Sequence, residues 1–198
     1  MVPVGLLVWR GVNGMLGTNP VETITSQTGS WGLNFILITL AVSPLRRITG
    51  WSVLLRLRRM LGLFSFFYIF LHFITYLWLD QFFDLADVLS DIIDRPYITA
   101  GFTGFVLLIP LAVTSTNAMV RRLGSANWRR LHRMAYFAAM AGVVHFIWLV
   151  KADLREPLTY LVVLMFLMAL RMQPVVRFIQ SWARNTSRTT TSNFSENR

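Results

Sequence analysis

The chain contains no cysteine among its 198 residues, and only nine of them are Asp or Glu. The absence of cysteine excludes disulfides, iron–sulfur clusters and thiolate-bound zinc from its mechanism. Charged residues are scarce at 14%, whereas 55% of the residues are hydrophobic and the mean hydropathy is positive. Because a soluble domain of this size would carry more apolar surface than its core could bury, this composition indicates a membrane protein.

Apolar runs close to the roughly 20 residues that a helix needs to cross a bilayer alternate with charged breaks. They predict membrane spans at 29–44, 60–79, 97–114, 131–150 and 157–172. The apolar segment Met1–Trp9 reaches only about 13 Å as a helix, about half a membrane, and is interpreted as a clipped first helix. The predicted fold class is therefore all-α, a polytopic membrane helical bundle of five full spans plus that first helix.

The loops between these spans alternate in charge. One set of loops, together with the C-terminus, holds 15 of the 19 basic residues, and the other set holds eight of the nine acidic residues. The positive-inside rule therefore predicts cytoplasmic arginine-rich loops, a cytoplasmic C-terminus and an external Asp-rich loop at 80–94. The arginines lie in short clusters rather than along one face, which favours lipid over nucleic acid as their partner. Residues 1–183 are predicted as one membrane domain, and 184–198 as a disordered tail.

All three histidines lie inside or at the mouth of apolar segments, where an ionisable side chain needs a partner. His72 follows Arg58 by 14 residues and His145 follows Arg130 by 15, so both should lie roughly 21 to 23 Å along helices that start at the cytoplasmic side. Two neutral imidazoles at one level predict axial ligation of a b-type haem. The alternative is a small transporter or proton path that uses the histidines as relays, although no carboxylate lies in the core of a span.

Small side chains accompany both histidines on their predicted helix faces. They would leave room for a flat macrocycle, and the alternative is that they only permit close helix packing. They are Gly62 and Ser65, with Ile69, on the face of His72, and Ala138, Ala141 and Gly142 on the face of His145.

His132 lies near the cytoplasmic start of its span, 13 residues before His145. It is a possible ligand of a second haem, for which Met60 is the candidate opposite ligand. It could equally contact a haem propionate, a flavin or a quinone, or belong to an interfacial hydrogen-bond network. Arg58 and Arg59 are candidate contacts for an anionic cofactor, because guanidinium groups form charge-assisted bonds to phosphate and carboxylate. The alternative for both is that they only set the membrane topology.

Several short motifs occur in an order that resembles the MsrQ (YedZ) family, which belongs to the ferric-reductase-like membrane haem proteins. The resemblance extends from about Gly17 to Arg171. The motifs are RRMLGL at 58–63, LHFITY at 71–76, RPYITAG at 95–101, TSTNAM at 114–119, the set Trp128, Leu131, His132 and Tyr136, and His145 with Trp148.

This resemblance implies a b-type haem subunit of the bacterial inner membrane. It would pass electrons to a periplasmic molybdopterin-containing methionine sulfoxide reductase that repairs oxidised proteins, and would not itself be the catalytic subunit. The family's histidines fall on His72, His132 and His145. The resemblance also implies bound flavin mononucleotide (FMN), and electrons from the quinone pool or a cytoplasmic flavin reductase.

Overall fold

The computed structural model describes residues 2–171, and the regular structure within this range is helical. The predicted tail at 184–198 and the end of the predicted 1–183 domain lie outside these residues. The helices are α1 (Val2–Val12), α2 (Pro20–Thr49), α3 (Leu54–Thr75), a π-helical turn (Tyr76–Asp80), α4 (Leu85–Asp94), α5 (Pro96–Val113), α6 (Asn117–Leu123), α7 (Ser125–Leu131), α8 (Met134–Leu149) and α9 (Arg155–Ala169).

Three helices in the described range are long and apolar enough to cross a membrane: Pro20–Thr49, Leu54–Asp80 and Pro96–Val113. They coincide with the first three predicted spans. The fourth and fifth correspond to the shorter helices α8 and α9, of 16 and 15 residues. The predicted span at 131–150 is interrupted at its start, because α7 ends at Leu131 and α8 begins only at Met134.

Local signals in the sequence fix both ends of the longest helix. α2 follows Asn19, whose side chain accepts a hydrogen bond from the backbone N–H of Glu22 at 3.2 Å, and Pro20 fills the first helical position. It ends at Gly50, which adopts a left-handed φ of 74° and donates its N–H to the carbonyl of Arg46 at 2.8 Å. The caps at Asn19 and Gly50 therefore account for both ends of α2.

The bundle consists mainly of two helix pairs, since α2 packs most extensively on α3, and α5 on α8. α9 adds to the same core. Many large apolar side chains on the outer faces are exposed, as a lipid-facing surface requires. The buried residues that form the core are Leu33, Ile36, Leu37 and Leu40 of α2, Leu108 and Leu111 of α5, Ala138, Ala139 and Val143 of α8, and Leu164 and Leu167 of α9.

Several of the small residues beside the histidines take part in close helix packing. The Ser65 hydroxyl of α3 donates to the carbonyl of Gly32 in α2 at 2.9 Å, and Ile69 occupies the space that a side chain at position 32 would take. Across the other pair, a Cβ on Gly104 would lie 3.4 Å from both the carbonyl oxygen of Ala138 and Cβ of Ala141. These positions therefore contribute to helix packing, and the room for a macrocycle stays a prediction.

Candidate functional site

His72 of α3 and His145 of α8 face each other inside the bundle. Their ring centroids are 6.1 Å apart and the ring planes are inclined by 76°. This distance confirms that the two side chains meet at one level, as their offsets along the chain predict. Their role as ligands stays a prediction.

The two imidazoles are anchored in the same way. His72 Nδ1 lies 2.8 Å from the carbonyl oxygen of Thr25 in α2, and His145 Nδ1 lies 2.7 Å from that of Tyr97 in α5. A carbonyl oxygen only accepts, so Nδ1 carries the proton in both rings and, in the neutral imidazole, Nε2 carries the lone pair. A metal-bound histidine shows this arrangement, with one nitrogen bonded to the metal and the other donating to a carbonyl.

The spacing of the two rings suits a shared metal ion. Imidazole nitrogen lies roughly 2.0–2.1 Å from a bound metal, so two imidazoles on opposite sides of one ion have centroids about 6 Å apart. Within residues 2–171, no group of three or more His, Cys, Asp or Glu side chains could hold a metal. An ion between His72 and His145 would thus take its other ligands from a cofactor. The residues fit a haem iron with two histidine ligands.

His132 lies in a different cluster, at the other end of α5. Its Nε2 is 3.1 Å from the hydroxyl of Thr114, and its ring stacks on Trp128 with the centroids 3.8 Å apart. Since the Thr114 hydroxyl donates its proton to the Pro110 carbonyl at 2.6 Å, it accepts from His132 Nε2. Of the predicted roles, the hydrogen-bond network is the one that the structure shows, and it leaves Nδ1 as the lone-pair nitrogen of a neutral His132.

A cavity of about 190 Å³ lies beside this cluster and brings His132, Arg58 and Arg59 together. Arg58 also donates to the Ser43 hydroxyl at 3.3 Å, and Arg59 to the side-chain oxygen of Asn117 at 2.6 Å. Ligand pockets usually have volumes of roughly 300–1,000 Å³. This cavity therefore has room for one end of a cofactor rather than for a whole one.

Met60 does not lie where a ligand opposite His132 would be. Its side chain is 46% exposed and lines a surface groove with Arg56, Phe64 and Phe67, outside the cavity that contains His132. The position along the chain was suitable, but Met60 lies on the wrong face of α3. Axial ligation by Met60 is therefore a prediction that the structure corrects.

A hydrogen-bond network around the carboxylate of Asp91 joins α4 to the π-helical turn after α3 and to the start of α5. Asp91 of α4 is buried and accepts hydrogen bonds from the Tyr76 hydroxyl at 3.0 Å and the Gln81 amide at 2.6 Å. It also pairs with Arg95 at 3.0 Å. The pKa of Arg95 is raised by the Tyr97 hydroxyl and then by Asp91, so Arg95 stays charged. Tyr97 is also the residue whose carbonyl anchors His145.

The family model and the similar proteins that match this chain indicate the same kind of membrane subunit. Residues 28–143 match the family model described as "Ferric reductase like transmembrane component". The chain is 52% identical to the "Protein-methionine-sulfoxide reductase heme-binding subunit MsrQ" of Rhodospirillum rubrum, over 86% of this chain and 84% of that protein. The chain belongs to the MsrQ family.

Other members of the MsrQ family match over similar lengths. The subunit of the same name from Herminiimonas arsenicoxydans is 49% identical over 86% of this chain and 79% of its own length. That from Xanthomonas campestris pv. campestris strain B100 is 44% identical over 98% of this chain and 88% of its own. No solved structure matches the chain.

The MsrQ motifs include the histidines but not all of the residues that form the site. The carbonyls of Thr25 and Tyr97 were missed, because a backbone acceptor has no sequence signal of its own. The π-helical turn after His72 was missed as well, although such turns often occur at functional sites. Asp91 was counted only as one of several acids in its loop, because its burial depends on the packing of α4 on the end of α5.

Proposed function

We propose that this chain is a membrane b-type haem subunit that passes electrons across the bacterial inner membrane to a periplasmic molybdopterin-containing methionine sulfoxide reductase. The observation that carries the proposal is the pair of imidazoles 6.1 Å apart, both with Nδ1 bonded to a backbone carbonyl. The curated relatives are named heme-binding subunits of a protein-methionine-sulfoxide reductase. The partner would repair oxidised proteins, and this chain would be the electron-transfer subunit.

His72 and His145 would hold the haem iron through Nε2. The haem supplies one-electron chemistry at a potential set by its ligands and burial. The protein's own contribution is to hold both rings in one tautomer and orientation through Thr25 and Tyr97. Apolar helices surround the site and keep water away from it.

The proposed topology has five full spans after the first helix, in a six-helix ferric-reductase-like arrangement. The arginine-rich ends, including Arg58, Arg59 and the C-terminus, would face the cytoplasm, and α4 the periplasm. The first helix of this arrangement corresponds to α1, which the structure describes as Val2–Val12. The shortness of α8 and α9 is compatible with crossing where the bilayer thins locally.

A difference spectrum of the detergent-purified protein, dithionite-reduced minus oxidised, tests the haem directly. We expect a sharp b-type α-band, and pyridine-haemochrome analysis should give about one haem per chain. About two per chain would add His132 as a ligand through Nδ1. A folded protein without any haem would exclude the electron-transfer role and favour the transporter or proton-path alternative.

The cavity at His132 is the proposed site for the phosphate end of flavin mononucleotide. Arg58 and Arg59 line it and can donate charge-assisted hydrogen bonds to phosphate. The electrons would come from the quinone pool or a cytoplasmic flavin reductase, as the family resemblance implies. The rest of the flavin would extend beyond the cavity's 190 Å³.

The Arg58→Gln variant should bind flavin mononucleotide roughly 10- to 150-fold more weakly, because a hydrogen bond to a charged group contributes about 1.5–3 kcal/mol. Flavin fluorescence after denaturation measures the bound fraction. Arg56→Gln is the matched control, since Arg56 belongs to the same cluster but lines the outer groove instead of the cavity. Equal flavin contents in the Arg58→Gln and Arg56→Gln variants would mean that Arg58 does not bind the flavin and only sets the membrane topology.

The acidic helix α4 is the proposed docking surface for the periplasmic partner. Asp87 is exposed, and its side chain does not cap the helix, a role that Asp84 takes. We expect Asp87→Lys to slow electron transfer to the partner severalfold at low salt and less at high salt, because rim charges mainly alter the association rate. Stopped-flow reoxidation of the reduced subunit by its partner measures this. Glu156→Lys, with the same charge change at α9, should leave the rate unchanged.

A further inference from the structure

Each of the two imidazoles lies directly against a glycine of the neighbouring helix. A Cβ built on Gly29 of α2 would be 3.0 Å from His72 Nδ1 and 3.1 Å from its Cε1. A Cβ on Gly101 of α5 would be 2.7 Å from His145 Nδ1 and 3.0 Å from its Cε1. Both rings thus occupy the space where any other residue would place its side chain.

The same four-residue spacing links each glycine to the carbonyl that its histidine contacts. Thr25 precedes Gly29 by four residues, and Tyr97 precedes Gly101 by four. In an α-helix the carbonyl of residue i is bonded to the N–H of residue i+4, so the side chain of residue i+4 stands next to that carbonyl. A glycine there leaves the second lone pair of the carbonyl accessible to a donor from outside the helix.

We propose that Gly29 and Gly101 are positioning residues for the two histidines. Each one exposes a carbonyl of the preceding helical turn to an imidazole Nδ1–H, and thereby fixes the tautomer and the ring orientation. The inference rests on the proposed function in one respect, namely that the Nε2 atoms so presented bind haem iron. The Nδ1 contacts themselves do not depend on the haem.

Close helix packing alone does not account for this arrangement. Gly32 and Gly104 lie one turn further along the same two helices and do serve packing, since their missing side chains are replaced by Ile69 and by Ala138 and Ala141. Only the glycine four residues after the anchoring carbonyl touches a histidine. Glycine in a helix interior is less favourable than alanine, yet glycine occurs at this position beside both rings.

Alanine substitutions with matched controls test the proposal. Gly101→Ala and Gly29→Ala each place a methyl group against a ring. Gly104→Ala is the mild control, with its Cβ 3.4 Å from the Ala138 carbonyl oxygen and Ala141 Cβ, and Gly32→Ala is the control for a clash without a histidine, with its Cβ well under 3.0 Å from Ile69 Cδ1. The first readout is ¹⁵N NMR of the histidine rings in the haem-free, full-length protein. We expect the Nδ1–H signal of His145 to be lost or shifted in Gly101→Ala, and that of His72 to change less in Gly29→Ala, where the contact is less tight.

The second readout is haem binding with the electron paramagnetic resonance of the oxidised protein. Loss of a group that orients a metal-bound histidine usually weakens metal binding about 10- to 100-fold, so Gly101→Ala should bind haem at least tenfold more weakly than Gly104→Ala. Its low-spin resonance should shift as the ring rotates. Because Gly29→Ala brings the milder contact, it provides the result if Gly101→Ala does not fold.

The outcomes distinguish the positioning role of Gly29 and Gly101 from the proposed haem-binding function. Ring signals in Gly101→Ala and Gly29→Ala that are unchanged from the unsubstituted protein would overturn the positioning role. Altered Nδ1–H signals in a protein whose unsubstituted form binds no haem would support the positioning role and reject the proposed function. Altered signals together with weaker haem binding would support both.

Discussion

The His72→Ala and His145→Ala variants should each lose the b-type difference spectrum. Either substitution removes one of the two imidazoles whose rings lie 6.1 Å apart, and residues 2–171 contain no group of three or more His, Cys, Asp or Glu side chains that could hold a metal instead. A haem left with one axial ligand would be high-spin and weakly held. Reduced-minus-oxidised spectra and haem stoichiometry, on protein that elutes as a single folded species, measure the effect.

His132→Ala is the informative control for this pair of variants. His132 is bonded to Thr114 and stacked on Trp128, away from the facing rings. With one haem per chain, the spectrum should keep its full α-band amplitude, and with two haems it should keep about half. A full-amplitude spectrum in His72→Ala or His145→Ala would exclude that residue as a ligand.

The Asp91→Ala variant should be less stable by about 2 kcal/mol, the second-largest effect that we expect. The substitution leaves the partly buried Tyr76 hydroxyl and Gln81 amide without their acceptor, and each unsatisfied group costs up to about 1–3 kcal/mol when it is fully buried. The ion pair with Arg95 adds little, because the Arg95 side chain is 54% exposed. Thermal unfolding in detergent, followed by tryptophan fluorescence, measures the change.

Asp94→Ala provides the comparison on the same helix. Asp94 is exposed and accepts a hydrogen bond only from the Ser90 hydroxyl, at 2.8 Å, among the bonds of the described residues. Its removal should change the unfolding temperature little. Equal unfolding temperatures for Asp91→Ala and Asp94→Ala would mean that the network does not stabilise the junction of the π-helical turn, α4 and α5.

The helical repeat explains why the histidine pair could be predicted from the sequence. The rise per residue is constant, so equal offsets from two arginine clusters place His72 and His145 at one depth whatever the details of packing. Their meeting also required that α3 and α8 turn the faces with His72 and His145 toward each other, which equal depth alone does not ensure. The assignment of Met60 likewise depended on the rotation of α3 about its axis, which a distance along the chain does not determine.

Other parts of the site depend on neighbours that are remote in sequence. His72 contacts a carbonyl 47 residues earlier, and His145 one 48 residues earlier. Such partners are known only when the packing of α2 on α3 and of α5 on α8 is known. The break before α8 likewise reflects tertiary contacts, because Trp128 and His132 both bond to Thr114 at the end of α5. Glycines in apolar helices were the available signal, and their cost relative to alanine could have marked Gly29 and Gly101.

The division of the bundle into two helix pairs has a consequence for its biogenesis. The pair α2–α3 contains His72 together with its carbonyl and its glycine, and the pair α5–α8 contains the same three elements for His145. Each half can therefore orient its own imidazole as soon as its two helices associate in the membrane, before the other half is complete. The association of the two pairs then sets the distance between the His72 and His145 rings. In this contact α2 meets α8, and Leu33 lies against Gly142. If the chain binds haem as proposed, ligation by both imidazoles would connect the two helix pairs.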